Sequence, residues 1–197
     1  DKQIEPYDDE ILEVGLKRAE KLNKKYGKDI FYFAYRKRVY NESEEEWLGY
    51  ERKRGALEHF NSLLLGKLSL EDQEKYYTGH SFNDFHKKIK YVITLDQDTQ
   101  LVLGSAFQLV GAMAHPLNKP IFNKEHTKIV KGYGIMQPKV SVDVESTNQS
   151  FFTQIYAGIG GYDIYSKVIA NFYQDVFKEG SFWGKGIYDL AIFDEVL

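Results

Sequence analysis

Tyr91-Val92-Ile93-Thr94-Leu95-Asp96-Gln97-Asp98-Thr99 is the stretch on which the fold turns. Its apolar and β-branched opening predicts a buried strand over 91–95. The run stops at two carboxylates one residue apart, Asp96 and Asp98. In open α/β sheets ligands bind outside the C-terminal ends of the strands, so the pair is expected at such an edge. Two acids this close call for a positive partner. The simplest is Mg²⁺ or Mn²⁺ bridging a diphosphate, because hard cations take oxygen ligands and share them with phosphates.

Working outward from that strand, the pattern alternates. Leu12, Leu16, Ala19 and Leu22 share one face of a helix predicted over 7–26. Residues 30–35 (Ile-Phe-Tyr-Phe-Ala-Tyr) read as a strand and 41–46 as a polar loop. Leu57, Phe60 and Leu64 predict a helix over 53–65, ended by Gly66. Ser69 and Asp72 have the spacing of a capping box for a short helix reaching Tyr77. Beyond the central strand, a helix over 105–114 is stopped by Pro116. Strands are predicted at 129–132 and 137–144, helices at 149–156 and 162–177, a glycine-rich loop over 180–186 and a last helix over 189–195. Strands interleaved with helices predict an α/β fold with a mostly parallel sheet. The chain opens on a helix where α/β domains open on a core strand, so a segment of a larger protein is expected, with 1–197 forming a single, partial domain.

Composition bounds the function classes. The chain has 197 residues, of which 43% are apolar and 28% charged, ordinary values for a soluble globular domain. Its 15 Tyr and 13 Phe are many for this length; they predict a ring-filled core or, alternatively, a stacking surface for sugars or bases. The net charge of −3 creates no field that favours nucleic acid. With no cysteine, disulfides and thiolate metal sites are excluded. No apolar run approaches the ~20 residues of a membrane span.

The Asp96/Asp98 pair admits several readings. An EF-hand loop is excluded, because its sixth position would be Leu101 and its twelfth Phe107. A dehalogenase-type phosphatase also places Asp-x-Asp after a buried strand, the first acid being the nucleophile. There Gly-Thr follows the second acid, whereas Thr99 comes directly here. A nucleotide-sugar transferase would use the acids to hold a metal against the leaving diphosphate. Two solvated turn acids are the structural alternative. Arg52-Lys53-Arg54 opens the second helix, where amide groups and guanidiniums can meet a phosphate, although such a run can equally be a solvated face. Gly184-Lys185-Gly186 would let backbone approach a ligand while Lys185 supplies charge, but it lacks the spacing of a Walker loop.

Five ordered blocks then carry a resemblance. They are 47–55 (Trp-Leu-Gly-Tyr-Glu-Arg-Lys-Arg-Gly), 91–101, 114–120 (Ala-His-Pro-Leu-Asn-Lys-Pro), 132–141 (Gly-Tyr-Gly-Ile-Met-Gln-Pro-Lys-Val-Ser), and 173–175 running through 184–189. Together they resemble the glycosyltransferase domain of cyclic β-1,2-glucan synthases, glycosyltransferase family 84, relatives of the processive family 2 enzymes. The resemblance implies a GT-A, Rossmann-like fold, UDP-glucose as donor, a β-glucan acceptor, Mn²⁺ or Mg²⁺, and inversion at the anomeric carbon. Asp96 and Asp98 fall on its metal-binding Asp-x-Asp. Arg52, Lys53, Arg54, Asp96, Gln137, Gly184, Lys185 and Gly186 fall on donor-binding segments. Ala56 departs from the Lys that relatives carry after the glycine of the first block.

The same resemblance implies a parent at the cytoplasmic face of a bacterial inner membrane. It also places two further strands and the catalytic base, on a His-Asp-Leu segment, outside this chain. Asp175 is the in-chain acid available as a substitute base, and a structural role fits it as well. The isolated segment is therefore expected not to transfer glucose.

Overall fold

Asp8–Tyr26 folds as α1, and its first residue anchors one of two structural units. A computed structural model describes residues 2–81, 89–138, 147–157, 176–177, 182 and 184–196. The chain divides into two compact units, Asp1–Lys90 and Tyr91–Leu197.

In the first unit α1 is followed by β1 (Ala34–Arg36), β2 (Val39–Asn41), β3 (Glu46–Leu48), α2 (Arg52–Leu64), α3 (Leu70–Tyr76) and β4 (Tyr77–Gly79). Asp8 is buried and accepts three hydrogen bonds, from Tyr35 Oη at 2.7 Å, Arg38 Nη1 at 2.5 Å and the Glu5 amide at 2.9 Å. The Arg38 guanidinium, the Glu5 amide and the Tyr35 hydroxyl hold its carboxyl well below the usual range. The expected strand over 30–35 survives only at its end. Asn23 Oδ1 takes the Ile30 and Phe31 amides and Asn23 Nδ2 donates to the Phe31 carbonyl, so those groups are already satisfied before any ladder can form. The expected loop over 41–46 is the turn of a hairpin, since β2 and β3 pair with Tyr40 opposite Trp47. The capping box stands as read: Ser69 accepts from the Asp72 amide and opens α3.

The second unit contains β5 (Tyr91–Thr94), α4 (Ser105–Ala114), a 3₁₀ turn (Pro116–Asn118), β6 (Ile121–Phe122), β7 (Ile129–Lys131), β8 (Ile135–Met136), α5 (Phe151–Ala157), β9 (Gly186–Asp189) and α6 (Leu190–Val196). Its main sheet has the order β5-β9-β8. Both α4 and α6 pack against the central strand β9. The core lies there: Ile187 and Tyr188 are fully buried, with Leu190 and Met113 beside them. Tyr188 stacks on Phe193 with ring centroids 4.3 Å apart, and Phe182 meets both rings edge-on.

The fold is mixed α/β, but the expected mostly parallel, Rossmann-like sheet is corrected. Every strand pairing among the described residues is antiparallel. The reason is β9. Its residues read as a glycine-rich loop followed by a helix, yet Gly186–Asp189 inserts as the middle strand and runs against both neighbours. Because β5 and β8 are each antiparallel to β9, they run in the same direction on either side of it. Their C-terminal ends therefore reach one edge, where β9 begins. The strand expected over 137–144 gives only β8, before it. Pro138 has no amide to extend the ladder, and 139–144 lie outside the described residues.

Candidate functional site

The edge at which β5 and β8 end gathers most of the second unit's candidate residues. Thr94, the last residue of β5, is the register partner of Gly186, the first of β9. Met136, the last of β8, pairs with Ile187. The chain leaving β5 carries Asp96 and Asp98, the chain leaving β8 carries Gln137, and the chain entering β9 carries Gly184 and Lys185. The expectation that the acids stand at the C-terminal edge of the sheet holds in this geometry, although the strands there are antiparallel neighbours.

After Thr94 the backbone turns, with the Thr99 amide donating to the Asp96 carbonyl at 3.0 Å. Asp96, Gln97 and Asp98 line an open cavity of about 570 Å³. Asp98 is exposed, and the Thr99 hydroxyl donates to its Oδ1 at 3.4 Å. Asp96 is half-buried and forms an ion pair with Lys185, Nζ to Oδ2 3.0 Å. No local signal announces that pair, because it depends on the register between strands far apart in the chain. Gln137 is exposed at the end of β8.

Gly184 and Gly186, expected on a loop, are both buried. Gly184 has φ +74°, which a side-chain-bearing residue rarely adopts. Gly186 is a strand residue: a Cβ there would lie 2.5 Å from the Met136 carbonyl oxygen and 3.2 Å from Gln137 Cα. It lets β8 approach β9, and it borders the site through its backbone.

Arg52, Lys53 and Arg54 belong to the first unit, at the exposed N-terminus of α2. Arg52 pairs with Glu44 at 3.1 Å and Arg54 with Glu51 at 3.3 Å. Glu51 and Arg52 both have positive φ, +46° and +50°. Arg36, which is not among the expected donor-binding residues, holds this turn. Its Nη1 donates to the Arg52 carbonyl at 2.7 Å and its Nη2 to the Tyr50 carbonyl at 2.5 Å. Asp175 lies outside the described residues.

Among the described residues, no group of three or more His, Cys, Asp or Glu side chains is arranged to hold a metal ion. A cation at Asp98 and Asp96 would take its remaining ligands from phosphate and water, as Mg²⁺ ordinarily does. The donor set, two carboxylates beside an open cavity, fits a hard divalent cation on those terms. No helix among the described residues is long and apolar enough to cross a membrane.

No protein-family model matches the chain. Over 196 residues, 98% of its length, it is 36% identical to the cyclic beta-(1,2)-glucan synthase NdvB of Rhizobium meliloti (strain 1021). The chain is thus related in sequence to a segment of a cyclic β-(1,2)-glucan synthase, in line with its five blocks. That segment spans 7% of the relative.

Proposed function

We propose that the chain is part of a glycosyltransferase domain that transfers glucose from UDP-glucose to the 2-hydroxyl of a growing β-1,2-glucan. The observation that carries this reading is the similarity to a glucan synthase over almost the whole chain. The edge where Asp96, Asp98, Gln137 and Lys185 meet supports it chemically. The acceptor oxygen attacks the anomeric carbon on the face opposite the diphosphate, so the new bond forms with inversion as UDP departs. Asp98, with Asp96 beside it, would hold Mn²⁺ or Mg²⁺, whose charge neutralises the leaving diphosphate. Lys185 adds an ammonium at the same edge, and Gln137 with the backbone of Gly184 and Gly186 borders the donor. A carboxylate of the longer protein, acting as general base, takes the acceptor proton, so the 197-residue chain alone binds donor without turning it over.

Thermal unfolding with UDP-glucose and Mn²⁺ tests the reading. At 100 times Kd, ligand stabilises by about 2.7 kcal/mol, which raises Tm by roughly 5–10 °C for a domain of this size. Asp98→Ala should abolish that rise, and in the longer protein it should abolish glucan synthesis. An unchanged Tm shift or unchanged synthesis in Asp98→Ala refutes the assignment.

A further inference from the structure

We infer that the Lys185–Asp96 ion pair couples the two halves of the ligand at this edge: the ammonium occupies Asp96 until a nucleoside diphosphate draws it away. A divalent cation alone then binds poorly, and the cation and diphosphate enter together. The inference rests on the donor-site reading above and deepens it.

Lys185 is delivered to Asp96 by the fold. Gly184 and Gly186 are both buried on either side of it, Gly186 against the Met136 carbonyl. The Thr94–Gly186 register sets the chain leaving β5 beside the chain entering β9. The ammonium itself stands at the end of a flexible four-carbon stem. The two partners are 30% and 31% exposed and their charges are 3.0 Å apart, so the pair is within reach of solvent and ligand.

The charges at the tip decide the order of events. Among the described residues at the tip, Asp96, Asp98 and Lys185 together carry one net negative charge. A divalent cation approaching Asp96 meets an ammonium already seated there, and repulsion between like charges a few ångströms apart is strong in a partly desolvated site. A diphosphate reverses this. Lysine binds phosphate as a mobile point charge on a flexible stem. Once Lys185 turns to a phosphate oxygen, the cation that the same phosphates share takes the place of the ammonium on Asp96. Coupling of this kind is reciprocal: whatever the diphosphate does for cation affinity, the cation does for diphosphate affinity.

The 197-residue chain is titrated with Mn²⁺ alone, read from the electron paramagnetic resonance of the free ion, and separately with the Mn²⁺–UDP complex by calorimetry. The Mn²⁺ site in question is the one removed by Asp98→Ala. Lys185→Met should bind Mn²⁺ alone about 5–10-fold more tightly and Mn²⁺–UDP about 5–10-fold more weakly, within the usual range of coupling between sites. Lys185→Gln should behave as Lys185→Met does, and Lys185→Arg should keep the wild-type order. A merely structural role would move both affinities the same way, and that result overturns the inference. So does an unchanged Mn²⁺ affinity in Lys185→Met. If the wild-type chain binds neither Mn²⁺ nor Mn²⁺–UDP, the donor-site reading falls with it. If it binds both and only the Lys185 variants fail to respond, the donor site stands and the coupling alone is wrong.

Discussion

Thr94 and Gly186 face each other across the β5–β9 ladder, and the Thr94 hydroxyl donates to the Gly186 carbonyl at 3.5 Å. This contact between buried residues aligns the chain that carries Asp96 with the chain that carries Lys185. The ion pair at the sheet edge is therefore a consequence of backbone register. A shift of one residue in that register would turn the side chains to opposite faces.

Gly186→Ala tests how tightly the edge is built. The added methyl would stand 2.5 Å from the Met136 carbonyl oxygen, a backbone atom that moves only if β8 separates from β9. Overpacking of this kind costs about 1–3 kcal/mol or more. Urea unfolding should show a lower midpoint, and UDP-glucose binding with Mn²⁺ should weaken as the edge distorts. A midpoint equal to that of the wild type would mean that β8 and β9 are not held so closely.

Ile187 and Leu103 are both aliphatic, and their surroundings predict opposite results. Ile187 is fully buried between the flanking strands, where its partners are Ile93 and Met136. Leu103 is fully exposed. Ile187→Ala should cost about 2–5 kcal/mol, through lost burial and the cavity left behind. Leu103→Ala should stay within about 0.5 kcal/mol of the wild type. Equal losses would contradict the placement of β9 at the centre of the sheet.

Asp8 gives the first unit a defined dependence on pH. Arg38, the Glu5 amide and Tyr35 all favour its charged form, so its folded pKa lies below that of the unfolded chain. The associated stability is complete above about pH 4, the unfolded value, and is lost as pH falls below it. Asp8→Asn should be less stable than the wild type near neutrality, with the gap closing between about pH 4 and pH 2. A gap that stays constant across that range would count against the charged cluster as its origin.

Structure is legible in the sequence where local chemistry decides it. The helix over 105–114 has the predicted bounds because Pro116 ends it. Ser69 caps α3 through its own hydroxyl. The strand before Asp96 was legible from its β-branched run, and with it the placement of the two acids. β9 was not. Gly and Asp, its first and last residues, are poor strand formers, and its identity comes from pairing on both sides with strands distant in sequence. The same tertiary dependence hid the Lys185–Asp96 pair and the antiparallel order of the sheet. The hairpin of β2 and β3 escaped because each strand has only three residues, too few for alternation to show.

The middle strand of the second unit is the one furthest along its sequence. Ribosomal synthesis delivers β5 and β8 well before Gly186–Asp189 emerges to join them, so for that interval both wait with open hydrogen-bonding edges. Joining β9 to β8 closes a loop of about 50 residues and joining it to β5 one of about 90, and such distant pairings slow folding. It also leaves the nascent chain open to mispairing with its neighbours.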